Sequence, residues 1–134
     1  MRKLLFFCFS SILLCQPTTP HHPLSIDVRT KLFQDDLLKI VVQVENTSDR
    51  NIEYLEGFLT EIDATGSMTK EIRMQIVQPS DALFASNSIL SDSHTMPYKE
   101  HQFSKFLFHI NKIRFQGDYR LYTYHPAVGL IRID

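Results

Sequence analysis

Histidine side chains are the first candidates for chemistry in this 134-residue sequence. Zinc requires histidine, cysteine or carboxylate ligands at short spacing along the chain. Two histidines, His21 and His22, are adjacent in a proline-rich stretch, and the others are scattered at His94, His101, His109 and His125. His101 and His109 would converge only if the strand after residue 103 folds back. We therefore expect no metal site and no cofactor.

Paired carboxylates occur at residues 35–36 and at Glu53 and Glu56. General acid–base catalysis requires that one carboxyl group of such a pair be desolvated. These pairs flank predicted turns or face solvent in the expected strands, so we interpret them as solvated charges. No G-x-S-x-G motif occurs and both cysteines, Cys8 and Cys15, precede residue 16, so no nucleophile for acyl transfer is present. We expect that the protein is not an enzyme.

Cys15 lies at the end of an apolar N-terminal segment. Arg2 and Lys3 precede an apolar run at residues 4–14, which is too short for the ~20 residues of a membrane-spanning helix. We interpret residues 1–15 as a signal peptide. The cysteine at the end of the run resembles that of a bacterial lipoprotein signal, which implies that its thiol is acylated and that it becomes the mature N-terminus. The alternative is that Cys15 is only a small apolar residue at the end of the run and that cleavage falls a few residues later, since Leu14 is larger than that pattern requires.

Residues 16–23 (QPTTPHHP) contain three of the six prolines. Proline fixes φ and lacks an N–H donor, so this segment is predicted to be an extended, semi-rigid tether. The resemblance of the leader implies export to the bacterial periplasm and attachment to the outer membrane by lipid on Cys15. Absence of cysteine beyond residue 15 favours a bacterial source, since secreted animal domains of this size usually carry disulfides.

The charge balance argues against nucleic acid as a partner. Loss of Arg2 and Lys3 with the leader leaves 12 basic and 15 acidic residues, a net charge of −3. The sequence contains no run of Lys and Arg that would follow a phosphate backbone. We expect a membrane partner, through the lipid, and a protein partner.

Alternation of apolar and polar residues dominates residues 24–134, which we interpret as one domain. The alternation is clearest at residues 38–44. Residues 52–62 also fit a helical face, but Gly57 and the aromatic content favour a strand. Residues 78–102 are irregular, and here we expect a helical turn capped by Ser80 and one short edge strand near residues 88–90. The other predicted strands are 26–32, 72–76, 106–110, 119–124 and 131–133.

This spacing predicts an all-β, antiparallel two-sheet immunoglobulin-like sandwich of about seven strands. Gly66, in the segment Asp-Ala-Thr-Gly, is expected to take positive φ in a hairpin turn. Gly117 and Tyr119 resemble the tyrosine corner of immunoglobulin-like domains, which implies a structural role for both. The alternative for Tyr119 is an inward-facing aromatic residue.

An aromatic surface is the main candidate for partner binding. If Tyr119 points inward, Tyr122 is forced outward, and with Tyr124 and Arg120 it forms a face whose composition is enriched at interface hot spots. Cross-strand stabilisation of the sheet by these tyrosines is the alternative.

Four short motifs between residues 37 and 125 are similar to those of small immunoglobulin-like envelope lipoproteins of the YcfL-like family: NTSDRN, IDATGS, MPYKEHQ and YRLYTY. The resemblance implies a periplasm-facing accessory protein and transfers no catalytic residue. The expected function is therefore that of a non-catalytic, membrane-tethered assembly or protein-interaction module. Two alternatives stay open, a small-ligand or carbohydrate-binding sandwich and a secreted soluble protein of unknown activity.

Overall fold

The computed structural model of the chain describes residues 22–34, 36–98 and 104–134. These residues form eight strands and contain no helix. In chain order, the strands are β1 (Leu24–Phe33), β2 (Leu37–Asn46), β3 (Ile52–Ile62), β4 (Met68–Val77), β5 (Ile89–Pro97), β6 (Lys105–Phe115), β7 (Tyr122–His125) and β8 (Gly129–Arg132). None of the described residues belongs to a helix long and apolar enough to cross a membrane.

The strands form two antiparallel sheets. The smaller sheet has the order β1-β2-β5, and the larger has the order β4-β3-β6-β7-β8. The predicted all-β, two-sheet class is confirmed, with eight strands in place of about seven. Residues 52–62 form the central strand β3, which settles the choice between strand and helix.

The core lies between the two sheets. On β2, alternate residues are fully buried, whereas their neighbours are half-buried, as the period-two pattern predicts. The buried apolar side chains are Leu24, Ile40, Val42, Val44, Ile52, Leu55, Leu59, Met74, Val77, Phe84, Phe106, Phe108, Ile110, Ile113 and Phe115. Apart from Leu24, Phe84 and those of β2, all of them lie on the larger sheet, which therefore supplies most of the core.

A β-bulge changes the phase of β6. Its buried residues run Phe106, Phe108 and Ile110, and then resume at Ile113. The register between β3 and β6 shifts at the same level, between Glu56 and Gly57. A bulge inserts one residue into one strand and increases the local twist. The outer face of the larger sheet is therefore irregular beside Glu56.

The predicted hairpin turn between β3 and β4 is confirmed. The Asp63 carboxylate accepts hydrogen bonds from the backbone N–H groups of Thr65 (2.9 Å) and Ser67 (3.0 Å). Gly66 has φ of 85°, a conformation that L side chains rarely adopt.

Three local predictions differ from the structure, two in kind and one only in length. No helical turn follows Ser80; instead Phe84 pairs with Ile52 through two backbone hydrogen bonds of 2.9 Å. The short edge strand expected near residues 88–90 is present at the edge of the smaller sheet, but it is nine residues long, because it pairs with β2 along its whole length. The strand predicted at residues 119–124 starts at Tyr122, and its alternation has the opposite phase because Tyr122 pairs with the buried Ile113.

Candidate functional site

The first described residues, 22 and 23, lie against one end of the sandwich. We call it the tether end and define it by residues 22–23 and the loops 47–51, 84–88 and 116–121. Backbone hydrogen bonds join these segments: Thr47 N–H donates to the Pro23 carbonyl (3.1 Å), and Gln116 N–H donates to the Asn51 carbonyl (2.9 Å). The loops therefore form one connected surface, which includes an open depression of about 510 Å³ beside Pro23.

His22 is held at the tether end by three contacts. Its carbonyl accepts a hydrogen bond from the Thr47 hydroxyl (2.6 Å). Its Nδ1 is hydrogen-bonded to the hydroxyl of Tyr124, and the two rings meet edge to face with centroids 5.7 Å apart. The end of the predicted tether is thus fixed to two elements of the domain, the loop after β2 and strand β7.

Asp118 is the centre of a second cluster at this end. Its Oδ2 accepts hydrogen bonds from Arg50 (3.1 Å) and from the Tyr122 hydroxyl (3.0 Å), and its Oδ1 accepts from the backbone N–H of Arg120 (3.0 Å). The Arg120 N–H bond is the largest cause that lowers the pKa of Asp118, followed by the Arg50 guanidinium. The Arg50 guanidinium also lies 4.3 Å above the ring centre of Phe115, in cation–π contact.

The predicted aromatic face does not form. Tyr122 and Tyr124 are half-buried and pack against the core, because Tyr122 pairs with the inward-facing Ile113. The prediction that Tyr122 points outward is wrong. Arg120 is exposed and lies beside Tyr122. A hydrogen bond with the Tyr122 hydroxyl is the main reason that the pKa of the Arg120 guanidinium is raised. Of the three residues predicted to form the aromatic face, Arg120 and Tyr122 therefore lie together, at the edge of the Asp118 cluster.

Both readings of Tyr119 are also wrong, because its side chain is 97% exposed. It neither faces the core nor folds back onto upstream backbone. The ring that packs at this corner is that of Tyr122, which meets Phe115 edge to face at 6.0 Å between centroids. Gly117 has φ of 75° and makes the turn that ends β6.

A third cluster surrounds Glu56 on the outer face of the larger sheet. Residues on this face are normally solvated, yet Glu56 is only 1% exposed. Its Oε2 accepts hydrogen bonds from the Tyr54 hydroxyl (2.5 Å) and from Arg73, and its Oε1 accepts from the Asn111 amide (2.8 Å). Asn111 lies at the bulge of β6, so the carboxylate joins three adjacent strands, β4, β3 and β6.

These contacts decide the charge of Glu56. Burial raises its pKa, but hydrogen bonds from Tyr54, Arg73 and Asn111 outweigh burial and hold the pKa at about 2. At neutral pH the group is an ionised acceptor and has no proton to donate. The expectation that Glu56 is a solvated charge is wrong. In the sequence, the only hint of this burial is that Glu56 adjoins a glycine in mid-strand. The structure shows why a glycine is needed there: a Cβ on Gly57 would lie 2.5 Å from the His109 carbonyl oxygen.

The remaining candidates are not brought together. Among the described residues, no three His, Cys, Asp or Glu side chains lie close enough to hold a metal ion. The lipidation candidate Cys15 and His101 lie outside the described residues. Glu53 forms a half-exposed ion pair with Arg114 at 2.5 Å.

An open groove of about 360 Å³ is lined by residues of the edge strands β4 and β5. We call it the edge groove. Its polar and apolar lining includes Ile72, Arg73, Gln75, Gln78, Asp92 and His94. Since β4 and β5 are edge strands of different sheets, both present backbone groups beside this groove.

Comparison with known proteins identifies a shared fold. No protein-family model and no curated protein matches the sequence. The crystal structure of a protein assigned as ApaA from Bordetella pertussis is similar, with 12% identity and a TM-score of 0.54, over 87% of this chain and 94% of that chain. The X-ray structure of the structural genomics target SoR45 gives 12% identity and a TM-score of 0.43, over 72% of this chain and 88% of that chain. At such identity the first likeness concerns the fold alone, and the second adds no argument.

Proposed function

We propose that this chain is a lipid-anchored, non-catalytic module of the bacterial cell envelope, held to the membrane through Cys15 and acting by contact with other proteins. The observation that carries the proposal is the sequence of three elements: a leader ending in Cys15, a proline-rich tether, and a domain that binds the last residues of that tether. His22 and Pro23 are hydrogen-bonded to Thr47 at the tether end.

The length of the tether sets the distance between anchor and domain. Six residues separate Cys15 from His22. A chain spans at most ~3.3–3.6 Å per residue, so the thiol of Cys15 would lie within roughly 25 Å of His22. The tether end would therefore stay close to the lipid headgroups, while the sheet edges remain accessible to partners.

The chemistry of the clusters favours an interaction module over the alternative of a carbohydrate-binding sandwich. Sugar recognition needs exposed aromatic faces and free polar groups that converge in a pocket. The hydroxyl of Tyr122 is hydrogen-bonded to Asp118, and that of Tyr124 is hydrogen-bonded to His22. The residues proposed for ligand binding thus have internal partners within the domain.

Metabolic labelling with a radioactive fatty acid tests the anchor. The full chain is expressed in a Gram-negative bacterium, and its label, intact mass and membrane partition are compared with those of Cys15→Ser. We expect a labelled, membrane-bound protein whose mature N-terminus is Cys15, and loss of label in Cys15→Ser.

The matched control is Cys8→Ser, which alters the other cysteine of the leader. Because residues 1–14 would be removed on processing, this variant should be labelled like the unsubstituted chain. Label retained by Cys15→Ser, or an unmodified N-terminus beyond residue 15, would refute the proposal.

A further inference from the structure

The hydrogen bonds between β2 and β5 show which backbone N–H and C=O groups of β5 point away from the sheet. Tyr98 N–H donates to the Asp36 carbonyl (2.7 Å), and Asn46 N–H donates to the Ser88 carbonyl (3.0 Å), at the two ends of the β2–β5 ladder. In antiparallel pairs, hydrogen-bonded and non-hydrogen-bonded positions alternate. The even-numbered residues of β5 therefore bond to β2, and the odd-numbered ones direct their N–H and C=O groups away from the sheet. Accordingly, Ser93 N–H donates to the carboxylate of its neighbour Asp92 (2.7 Å).

The sequence of β5 is self-complementary about its middle residue. The strand runs from Ile89 to Pro97, so its centre is Ser93, one of the edge-facing residues. Two copies that pair antiparallel about a two-fold axis at Ser93 would place residues of matched chemistry opposite one another. The resulting pairs are Asp92 with His94, Leu90 with Met96, Ser91 with Thr95, Ile89 with Pro97, and Ser93 with itself.

We propose that β5 is a dimerisation edge, which binds a second copy of this chain through antiparallel β5–β5 pairing centred on Ser93. The pairing would join two three-stranded sheets into one sheet of six strands. Charge complementarity identifies the occupant: the two-fold places Asp92 opposite His94 twice, and each histidine N–H can donate to a carboxylate. Cross-strand pairs of opposite charge, and Ser with Thr, stabilise antiparallel sheets.

On each of the other long edges, part of the charge is already engaged in an ion pair, although Lys31, Lys70 and Glu71 form none within the described part of the chain. Asp27 is paired with Arg29 on β1, and Arg73 of β4 is paired with Glu56. Neither Asp92 nor His94 forms an ion pair with another residue of the described ranges. Seven of the nine residues of β5 are exposed.

The edge groove gives room for the second strand. Asp92 and His94 line the groove from β5, and Ile72 lines it from β4. The inward side chains of an added strand, Leu90 and Met96 among them, would extend over this groove and cover apolar surface there. The groove is thus the space that the partner's strand would fill on the core side of the sheet.

The proposal does not depend on the lipid anchor. Antiparallel pairing places the two tether ends at opposite ends of the shared sheet. If both copies are anchored in one membrane, their strands must lie along the membrane plane, so that each tether reaches the lipid. The dimer would form in the same way between copies without lipid.

Site-specific disulfide cross-linking of the full chain in its host envelope tests the register. Opposite Cα atoms of a hydrogen-bonded pair are about 5.5 Å apart, within disulfide range. We expect Ser93→Cys to form a covalent dimer on oxidation. Ser91→Cys alone should not, since its counterpart is Thr95, but Ser91→Cys mixed with Thr95→Cys should.

Two controls report the background. The unsubstituted chain reports any cross-link through Cys15, and Ser25→Cys places a thiol on β1, at the opposite edge of the same sheet. Absence of the Ser93→Cys dimer would overturn the proposal. So would equal cross-linking by Ser25→Cys, which would indicate random collision, or a cross-link to a different protein, which would assign the edge to another partner.

Charge exchange provides a second readout. Asp92→Lys places lysine opposite His94 and should weaken dimerisation about tenfold in analytical ultracentrifugation, since two symmetric pairs are lost. Addition of His94→Glu restores opposite charges across the axis and should restore the dimer. Failure of the double variant to recover, with an unchanged thermal unfolding curve, would contradict the pairing.

Discussion

Glu56 and Asp92 are both acidic residues near the middle of a strand, but they differ in solvent exposure. Glu56 lies on the solvent side of the central strand β3 and is buried by Tyr54, Arg73 and Asn111. Asp92 lies on the core side of the edge strand β5 and is exposed. Neighbouring strands, and not the face alone, therefore determine solvation: a central strand has donors on both sides, and an edge strand has none on one side.

The largest expected difference between the two positions is in pH dependence. Glu56 has a pKa of about 2 in the folded chain, below the ordinary glutamate pKa of 4.5. Between these values the unfolded chain binds more protons, so stability falls as pH decreases. We expect about 3 kcal/mol of unfolding free energy to be present above pH 4.5 and lost on acidification towards pH 2. Denaturant titration across this range measures it.

Glu56→Gln should remove most of this dependence and should be less stable at neutral pH, because the amide cannot accept hydrogen bonds from all three donors. Glu71→Gln, at an exposed position of β4, is the matched control and should behave like the unsubstituted chain. An unaltered acid transition in Glu56→Gln would contradict the role given to the cluster.

The next largest effect concerns space in the central strand. An added Cβ at Gly57 would meet the ring of Phe108 and the His109 carbonyl oxygen, and the latter is backbone and cannot turn away. Gly57→Ala should therefore cost about 2–3 kcal/mol of unfolding free energy. Gly66→Ala meets no atom within 4 Å but requires φ of 85°, and should cost only about 1 kcal/mol. Equal losses in thermal or chemical unfolding would show that packing at Gly57 is not the constraint.

The smallest effect is expected at the edge. Asp92→Asn removes a charge that has no ion-pair partner among the described residues, so the unfolding free energy of the monomer should change by less than about 0.5 kcal/mol. Chemical denaturation at low protein concentration, where dimers dissociate, measures it. A loss comparable to that of Glu56→Gln would mean that Asp92 is part of the monomer's own structure.

Much of the fold could be predicted from alternation. The patterns of β2 and β6 identify strands whose side chains contribute to the core, because a sheet with one buried face requires period two. For β3, Gly57 and the aromatic content favoured a strand over a helix. Gly66 identifies the hairpin, since its positive φ is a local property. These features depend on a few consecutive residues.

The candidate sites could not be predicted in the same way. The orientation of Tyr122 depends on its pairing with Ile113 of β6, and a one-residue shift of register would reverse the faces of the strand. The burial of Glu56 depends on a bulge in β6, more than fifty residues away along the chain. The contact of His22 with Tyr124 joins positions 102 residues apart.

The sequence by itself predicted the fold class and the positions of the main strands, which the structure confirms, because these depend on local composition and periodicity. The proposed leader and tether rest on the sequence alone. The tertiary structure decided which charges are buried, which tyrosine hydroxyls are hydrogen-bonded within the domain and which strand edges are free. Those properties depend on the order of strands in each sheet, which is set by long-range pairing and leaves no local pattern in the chain.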